Sequence, residues 1–307
     1  MKAGKVRKKV LALLLAGTAI LGLTGGGTMQ VEAAGQENAY VDTSSYEQLY
    51  KLYEDYFKLG IACQAMDHWN DPTAEIGNQE KEELINRMFN SMTFGNELKP
   101  AYNFDASSEN LFKVDFAAEE MLEWAKENNM KVRGHVLVWH SQVDPSIFAI
   151  DYQAYADGKL TKSDTAKLDE ECLVDREELL ARLKRYIYGV LEYTYKNGYA
   201  DVIYAWDVVN EAADENQYDG LRRSYWYQII GPDYLYYAFL YAREAETLYA
   251  KQYASLYGLD ADTDDLSSIQ PKLFYNDYNE WFGSRSDAII HFLTCLLYTS
   301  DAADDTP

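Results

Sequence analysis

Residues 202–212 read VIYAWDVVNEA, an apolar stretch that ends in an amide and a carboxylate side by side. Its first residues are mostly β-branched or aromatic, and they follow the turn signal Asn197-Gly198. This pattern predicts a short buried strand with Glu211 at its C-terminal end. Burial favours the protonated form of a carboxyl group, which is the form that a general acid uses. An isolated Asn-Glu pair is more often part of a surface turn that opens a helix, so the functional interpretation of Glu211 depends on the motifs elsewhere in the chain.

The same alternation of a short apolar run and a longer amphipathic run recurs along the chain. The predicted strands are residues 61–65, 91–94, 132–139, 202–209 and 272–275, and the predicted helices are residues 80–88, 116–127, 176–195 and 234–256. Strand followed by helix indicates parallel βα units. No G-x-G-x-x-G follows a strand, which favours a closed barrel over an open nucleotide-binding sheet. The predicted fold class is α/β, a TIM (β/α)8 barrel that is incomplete here, with about five of eight units.

Polar residues stand at the predicted strand ends, where a barrel of this type places its chemistry. The C-terminal ends of the second, third and fifth predicted strands, with the residues that follow them, are called exits here. They comprise residues 93–100, 133–142 and 274–279, and they carry amides, cations, imidazoles and aromatic rings. This mixture binds hydroxyl groups and stacks on sugar rings. Alternation along the third strand predicts that His135 and Trp139 share one face and that His140 lies on the other. A two-histidine metal site is therefore not expected, and no cofactor is predicted.

Charge and the N-terminal sequence restrict the partners. The formal net charge is −22, which repels nucleic acid and anionic membranes and suits a neutral substrate. Basic residues precede an apolar run at 10–23 and a small-residue cleavage pattern at 31–33, which predicts a secretory signal peptide over residues 1–33. The apolar run is shorter than a bilayer span needs, so no stable membrane insertion is expected after cleavage. The predicted localisation is secreted and extracellular.

Taken together, the strand-end motifs resemble the glycoside hydrolase family 10 endo-β-1,4-xylanases, which are retaining enzymes on a TIM barrel. The resemblance extends from about Phe57 to about Leu293 through four strand ends. It implies that Glu211 is the general acid/base, that Asp207 and His140 are supporting residues, and that the partner is xylan or a xylo-oligosaccharide. It also implies a set of substrate-binding residues, namely Asn96, Lys99, His135, Trp139, Gln142, Asn210, Asn276 and Tyr278. Asn210 and Glu211 are adjacent, so both reach one pocket only if the backbone leaves regular strand geometry there.

The chain departs from the family pattern in two places. Gly95 stands where the family commonly has Glu, which implies that one hydroxyl contact on the glycone side is absent or is supplied by another residue. The second departure is the nucleophile, since the Thr-Glu-Leu-Asp-like motif of the seventh strand has no counterpart in this sequence. Retention requires two carboxyl groups about 5 Å apart.

The end of the chain predicts a truncated gene. Residues 295–307 lose the amphipathic pattern of the preceding helix and resemble a translated sequencing adapter. The predicted organisation is a signal peptide at 1–33, a partial catalytic barrel at 34–294 and a non-native tail at 295–307. The full-length gene product is predicted to be a secreted endo-1,4-β-xylanase, and the 307 residues alone are predicted to be inactive. The alternatives are a non-catalytic xylan-binding fragment and a related endo-β-glycanase.

Overall fold

The structure is a computed structural model, and it describes residues 45–65, 73–150 and 172–304. The compact unit that carries the sheet begins at Glu47. The signal peptide predicted over residues 1–33 lies outside the described residues, so it stays a prediction.

Five strands alternate with helices along the described chain. The elements, in chain order, are β1 (Gly60–Cys63), α1 (Gln79–Met88), β2 (Ser91–Phe94), α2 (Pro100–Asn103), α3 (Phe116–Glu127), β3 (Lys131–Trp139), α4 (Arg176–Lys196), β4 (Ile203–Asn210), α5 (Tyr225–Ile230), α6 (Tyr234–Tyr253), β5 (Lys272–Asn276) and α7 (Gly283–Asp304). Short 3₁₀ turns lie at Leu49–Leu52, Pro145–Ile147, Ala254–Tyr257 and Leu266–Ile269.

The strands form one sheet in the order β1-β2-β3-β4-β5, and every neighbouring pair is parallel. Consecutive parallel strands with helical crossovers are the pattern of a TIM barrel, and five strands are part of its eight. The fold class predicted from the sequence is confirmed as a partial barrel. All C-terminal strand ends therefore lie at the same edge of the sheet.

Local sequence explains where the helices begin. Asn78, Asp115 and Asp175 precede α1, α3 and α4, and each side chain accepts a hydrogen bond from a backbone N–H in the first helical turn. Ser224 caps α5 in the same way. These caps satisfy N–H groups that have no partner within a helix.

The core lies between the sheet and its helices. α3 contributes Met121 and Leu122, α4 contributes Leu183 and Ile187, and all four are fully buried. Trp206 of β4 is among the largest buried side chains of the described residues, at 1% exposure, and it packs directly over Gly134 of β3. Gly134 and Trp206 are register partners, so the indole fills the space that a side chain on Gly134 would need.

Regular strand geometry breaks at the upper ends of β3 and β4. The register shifts between His135 and Val138 and again between Asp207 and Val209. Glu211, directly after β4, has a φ of 55°, in the left-handed region that non-glycine residues rarely adopt. The sequence analysis expected the backbone to leave regular strand geometry if Asn210 and Glu211 were to reach one pocket. The φ of Glu211 and the register shifts are such a departure.

The last helix, α7, continues through Cys295 to Asp304. No helix end therefore marks the tail boundary predicted at residue 295, and the predicted tail stays a prediction. Among the described residues, no helix combines the length and the apolar character that crossing a bilayer requires.

Candidate active site

Glu211 lies at the C-terminal edge of the sheet, between the exits of β3 and β5. Its backbone N–H donates to the carbonyl of Asn276 at 2.9 Å, which ties the end of β4 to β5. Trp139 Nε1 donates to Glu211 Oε2 at 3.2 Å, and His140 Nε2 is 4.0 Å from the same oxygen. The Glu211 side chain is 24% exposed. The carboxyl group is therefore held by fixed neighbours and still open to a bound molecule.

Trp139 is positioned from behind and is shared by two parts of the site. Trp226 of α5 donates from its indole Nε1 to the carbonyl of Trp139 at 3.0 Å. The Lys99 ammonium lies 5.0 Å from the centre of the Trp139 ring, within the range of a cation–π contact. One indole thus connects the carboxyl of Glu211 with the polar cluster at the exit of β2.

That cluster consists of Asn96, Lys99 and Gln142. Lys99 Nζ donates to Asn96 Oδ1 at 3.0 Å and to Gln142 Oε1 at 2.7 Å, and Gln142 Nε2 donates to Asn96 Oδ1 at 3.0 Å. Burial lowers the pKa of the Lys99 ammonium below its ordinary value, although the carboxylates of Glu97 and Glu211 act in the opposite direction. Two amides and one ammonium in mutual contact form a preorganised set of groups for binding hydroxyls.

A second cluster is centred on the buried carboxylate of Asp207, which is 2% exposed. Arg133 Nε donates to Asp207 Oδ1 at 2.9 Å, and His135 Nδ1 lies 2.9 Å from Asp207 Oδ2. Arg133 also reaches Asn276 Oδ1 at 3.3 Å. Asp207 therefore fixes the orientation of both the imidazole and the guanidinium group.

Two amides complete the floor of the site. The side-chain amides of Asn210 and Asn276 hydrogen-bond to each other at 2.8 Å. Asn210 is 3% exposed, so its contacts hold the exits of β4 and β5 together.

Tyr278 lies at the margin of this arrangement and is 45% exposed. The guanidinium of Arg285 lies 4.3 Å from its ring centre, and Arg285 also pairs with Asp277 at 2.6 Å and with Glu215 at 2.8 Å. Arg285 thus joins the loop after β5 to the loop after β4.

The structure corrects one expectation. His140 was expected on the face opposite to Trp139, but both side chains approach Glu211 Oε2. The expectation is wrong because β3 ends at Trp139, so two-residue alternation does not extend to His140.

Three residues with structural roles here were not singled out from the sequence, namely Arg133, Trp226 and Arg285. A cation two positions before His135 on the same strand was the available signal for Arg133, since alternation gives both one face. Trp226 and Arg285 act through tertiary contacts that no local pattern reveals.

Within the described ranges, no group of three or more His, Cys, Asp or Glu side chains has the geometry of a metal site.

Comparison with known proteins relates the chain to one family of glycoside hydrolases. Residues 48–300 match the sequence model of glycosyl hydrolase family 10. Endo-1,4-beta-xylanase A of Thermotoga maritima is 36% identical over 249 residues, which is 81% of this chain and 18% of that protein.

Solved structures of xylanases are also similar to this chain. A crystal structure of endo-1,4-beta-xylanase from Caldicellulosiruptor owensensis has a TM-score of 0.58 at 31% identity, covering 83% of this chain and 60% of that one. TsXylA, an intracellular xylanase from Thermoanaerobacterium saccharolyticum, was solved as a Glu-to-Ala variant in complex with xylotetraose. It has a TM-score of 0.60 at 32% identity, covering 83% of this chain and 64% of that one. The chain therefore spans less than two thirds of the length of each protein compared.

Proposed function

The chain belongs to glycosyl hydrolase family 10, and from this premise we propose that it is the N-terminal part of an endo-1,4-β-xylanase barrel. The proposed reaction is hydrolysis of internal β-1,4 bonds in xylan with retention of configuration. The observation that carries the proposal is the setting of Glu211. Its carboxyl lies at the C-terminal edge of the sheet, accepts a hydrogen bond from Trp139 and lies 4.0 Å from His140. The Lys99 ammonium lies over the ring of Trp139, which joins Glu211 to the cluster of Asn96, Lys99 and Gln142.

Glu211 has the role of general acid and then general base in this proposal. It donates a proton to the glycosidic oxygen as the C–O bond breaks, and it later takes a proton from the water that releases the sugar. The hydrogen bond from Trp139 supports this assignment because it orients the carboxyl group, which stays 24% exposed with His140 Nε2 4.0 Å away. Positioned proton transfer of this kind contributes about 10²- to 10⁴-fold to a rate.

The substrate is proposed to be xylan or a xylo-oligosaccharide, with Asn96, Lys99 and Gln142 on the glycone side. These groups offer donors and acceptors but little net charge, which suits the hydroxyls of a neutral sugar chain. The relatives named xylanases and the neighbour solved with xylotetraose support the same substrate class.

The nucleophile is proposed to lie on a later strand of the complete barrel. Three other acidic residues near the strand ends are poor candidates. Glu97 is fully buried and accepts backbone N–H groups from Ala65 and Asn96. Asp277 is committed to Arg285, Tyr275 and two backbone N–H groups, and Glu280 is exposed in the loop after β5. We therefore propose that the 307 residues alone bind xylan weakly and do not hydrolyse it.

The experiment compares two proteins in a reducing-sugar assay on xylan. We expect no product from the 307-residue chain and hydrolysis by a version extended to all eight βα units. Glu211→Gln in the extended version should lower the rate at least about 10²-fold, because the amide cannot donate the proton. Glu280→Gln is the matched control and should leave the rate unchanged. Full activity in the Glu211→Gln variant would contradict the assignment.

We also propose that the protein is secreted. The basic residues before the apolar run at 10–23 and the cleavage pattern Val31-Glu32-Ala33 support cleavage after Ala33. Expression in a bacterial host followed by N-terminal sequencing of the exported protein should give a chain that starts at Ala34. Retention inside the cell with residue 1 intact would contradict export.

A further inference from the structure

Gln64 directly follows β1 and faces Gly95 across the sheet. β1 and β2 pair in register up to Cys63 and Phe94, so the next residues along the two strands are Gln64 and Gly95. The N–H of Gly95 donates to the carbonyl of Cys63 at 2.8 Å, which keeps the two strands together at this point. The Gln64 side chain is thus placed beside the residue that precedes Asn96.

The Gln64 side chain occupies the space that a side chain at position 95 would fill. A Cβ built on Gly95 would lie 2.7 Å from Gln64 Cγ and 3.3 Å from Gln64 Nε2. Real Cβ contacts are essentially never as short as 2.7 Å, so one of the two side chains must be absent or must move. Gly95 is not among the residues with positive φ, so its own backbone would accept a larger residue. A side chain at position 95 therefore requires Gln64 to move.

Strand parity directs both residues toward the open face of the sheet. Cys63 and Phe94 are each 1% exposed and belong to the hydrophobic core. The pairing continues past these two strand ends, since the Gly95 N–H bonds to the Cys63 carbonyl and half-buried Gln64 stands between buried Cys63 and buried Ala65. Gln64 and Gly95 therefore point the other way, on the side shared by Thr93 and its register partner Arg133. That is the face on which Arg133 meets Asp207 and Asn276.

Among the described residues, the hydrogen bonds of Gln64 are made by its backbone. Its N–H donates to Glu75 Oε2 at 3.1 Å, and its carbonyl accepts from the N–H groups of Glu75 and Ile76. A half-buried amide with one acceptor and two donors can bind a hydroxyl in either role.

We infer that Gln64 is a specificity-determining residue that hydrogen-bonds a sugar hydroxyl on the glycone side of the cleft, from the space left by Gly95. The inference rests on the proposed function, and it identifies which residue supplies the contact that Gly95 cannot make. The surroundings favour an amide over a further carboxylate. Glu75 and Glu97 already place two carboxylates on the backbone at the end of β1, and a third would be repelled by both.

The test measures binding of xylotetraose to the 307-residue chain by isothermal titration calorimetry. Gln64→Ala should weaken binding about three- to tenfold, the range expected for one lost hydrogen bond. Gly95→Gln alone should also weaken binding, because its side chain collides with Gln64. The double variant Gln64→Ala/Gly95→Gln should recover affinity to within about twofold of the parent, because an amide then occupies the vacated space. Far-UV circular dichroism and urea unfolding establish that each variant is folded.

The outcomes separate this inference from the proposed function. Parent-like affinity in a folded Gln64→Ala variant overturns the role of Gln64 and leaves xylan binding intact. Binding in the double variant that is weaker than in both single variants also overturns it, since the two side chains would then not share one space. A folded parent that does not bind xylotetraose overturns the proposed function itself, and this inference with it.

Discussion

Glu211 shows that a single backbone conformation decides which side chains share a site. In a regular strand, Asn210 and Glu211 would point to opposite faces. The φ of 55° at Glu211 and the register shift after Asp207 release the chain from that alternation. Glu211 then meets Trp139, while Asn210 meets Asn276. The sequence predicted that a departure was needed, but the conformation itself depends on tertiary contacts such as the bond from Glu211 N–H to Asn276.

Asp207 provides a prediction at the same scale. Its carboxylate is 2% exposed and pairs with both Arg133 and His135. Asp207→Asn removes the negative charge and leaves the guanidinium without its buried partner, so we expect the free energy of unfolding to fall by about 3 kcal/mol. Urea unfolding measures this change. The exposed Asp201→Asn is the control and should stay within about 0.5 kcal/mol of the parent. Equal stability of the two variants would contradict the role given to Asp207.

Residue types at strand ends indicated groups that bind hydroxyls, and the family resemblance of those motifs selected Asn96, Lys99 and Gln142. The structure brings these three into mutual contact. The contact between Gln64 and Gly95 was not predictable in the same way. Gln64 belongs to no motif, and its position is visible only when β1 and β2 are paired in register.

At the scale of elements, the strands were predicted closely because each is a compact apolar run between turn signals. β2 has the predicted bounds, β3 and β5 differ from prediction by one residue at one end, and β4 is shifted by one residue at each end. β1 begins one residue and ends two residues earlier than predicted. The short helix α5 was not predicted. Its six residues are too few for a periodic pattern, and its position depends on the Ser224 cap and on the packing of Trp226.

The packing of β3 against β4 gives a second prediction. A Cβ on Gly134 would overlap the ring of Trp206, whose indole is buried at 1% exposure. Gly134→Ala should therefore lower the free energy of unfolding by about 3 kcal/mol or more. Gly283→Ala, where nothing lies within 4 Å of the added carbon, should have little effect. Thermal unfolding of the two variants compares them, and similar midpoints would refute the close packing of these strands.

α6 contains a titratable group that should make stability depend on pH. The Glu246 side chain is fully buried, and burial raises its pKa from 4.5 to about 7, although Arg243 favours the ionised form. The folded state therefore holds this proton more tightly than the unfolded state does. Its stabilising contribution is complete below about pH 4.5 and is lost as the pH rises through 7.

The measurement is the free energy of unfolding between pH 5 and pH 8. Relative to Glu246→Gln, the parent should lose about 2 kcal/mol over this interval. Glu244→Gln is the matched control on the same helix. The pKa of Glu244 is lowered, mainly by its hydrogen bond with Lys184, so this carboxyl is ionised throughout the interval. The Glu244→Gln variant should therefore still lose stability between pH 5 and pH 8 as the parent does. A parent and a Glu246→Gln variant with identical pH profiles would rule out this role for Glu246.

At the scale of the whole molecule, the described sheet has two outer strands, β1 and β5, each paired on one side. Exposed apolar side chains accompany the β5 side, including Trp281 at 78% and Ile290 at 62%. Unpaired strand edges and apolar patches promote association. We therefore expect the 307-residue chain to self-associate in a concentration-dependent manner.

Analytical ultracentrifugation tests this expectation with a pair of variants. Ile290→Lys places a charge in the patch beside β5 and should shift the distribution toward monomer. Leu248→Lys is the control, at a site on α6 that is 48% exposed, and it should leave the distribution between monomer and oligomer unchanged. An equal response to the two changes, or a parent that is monomeric at every concentration, would contradict association through the β5 side.

The most direct test of the central claim, that Glu211 supplies and removes the proton, uses leaving groups of different acidity on the eight-strand protein. Glu211→Ala should lose hydrolysis of xylan, which needs protonation of a poor leaving group, but should retain attack on an aryl xylobioside with a highly acidic phenol. Azide should then restore turnover and give a β-glycosyl azide, because no general base is needed for that nucleophile. Equal losses on xylan and on the activated aryl substrate, with no rescue by azide, would contradict the claim.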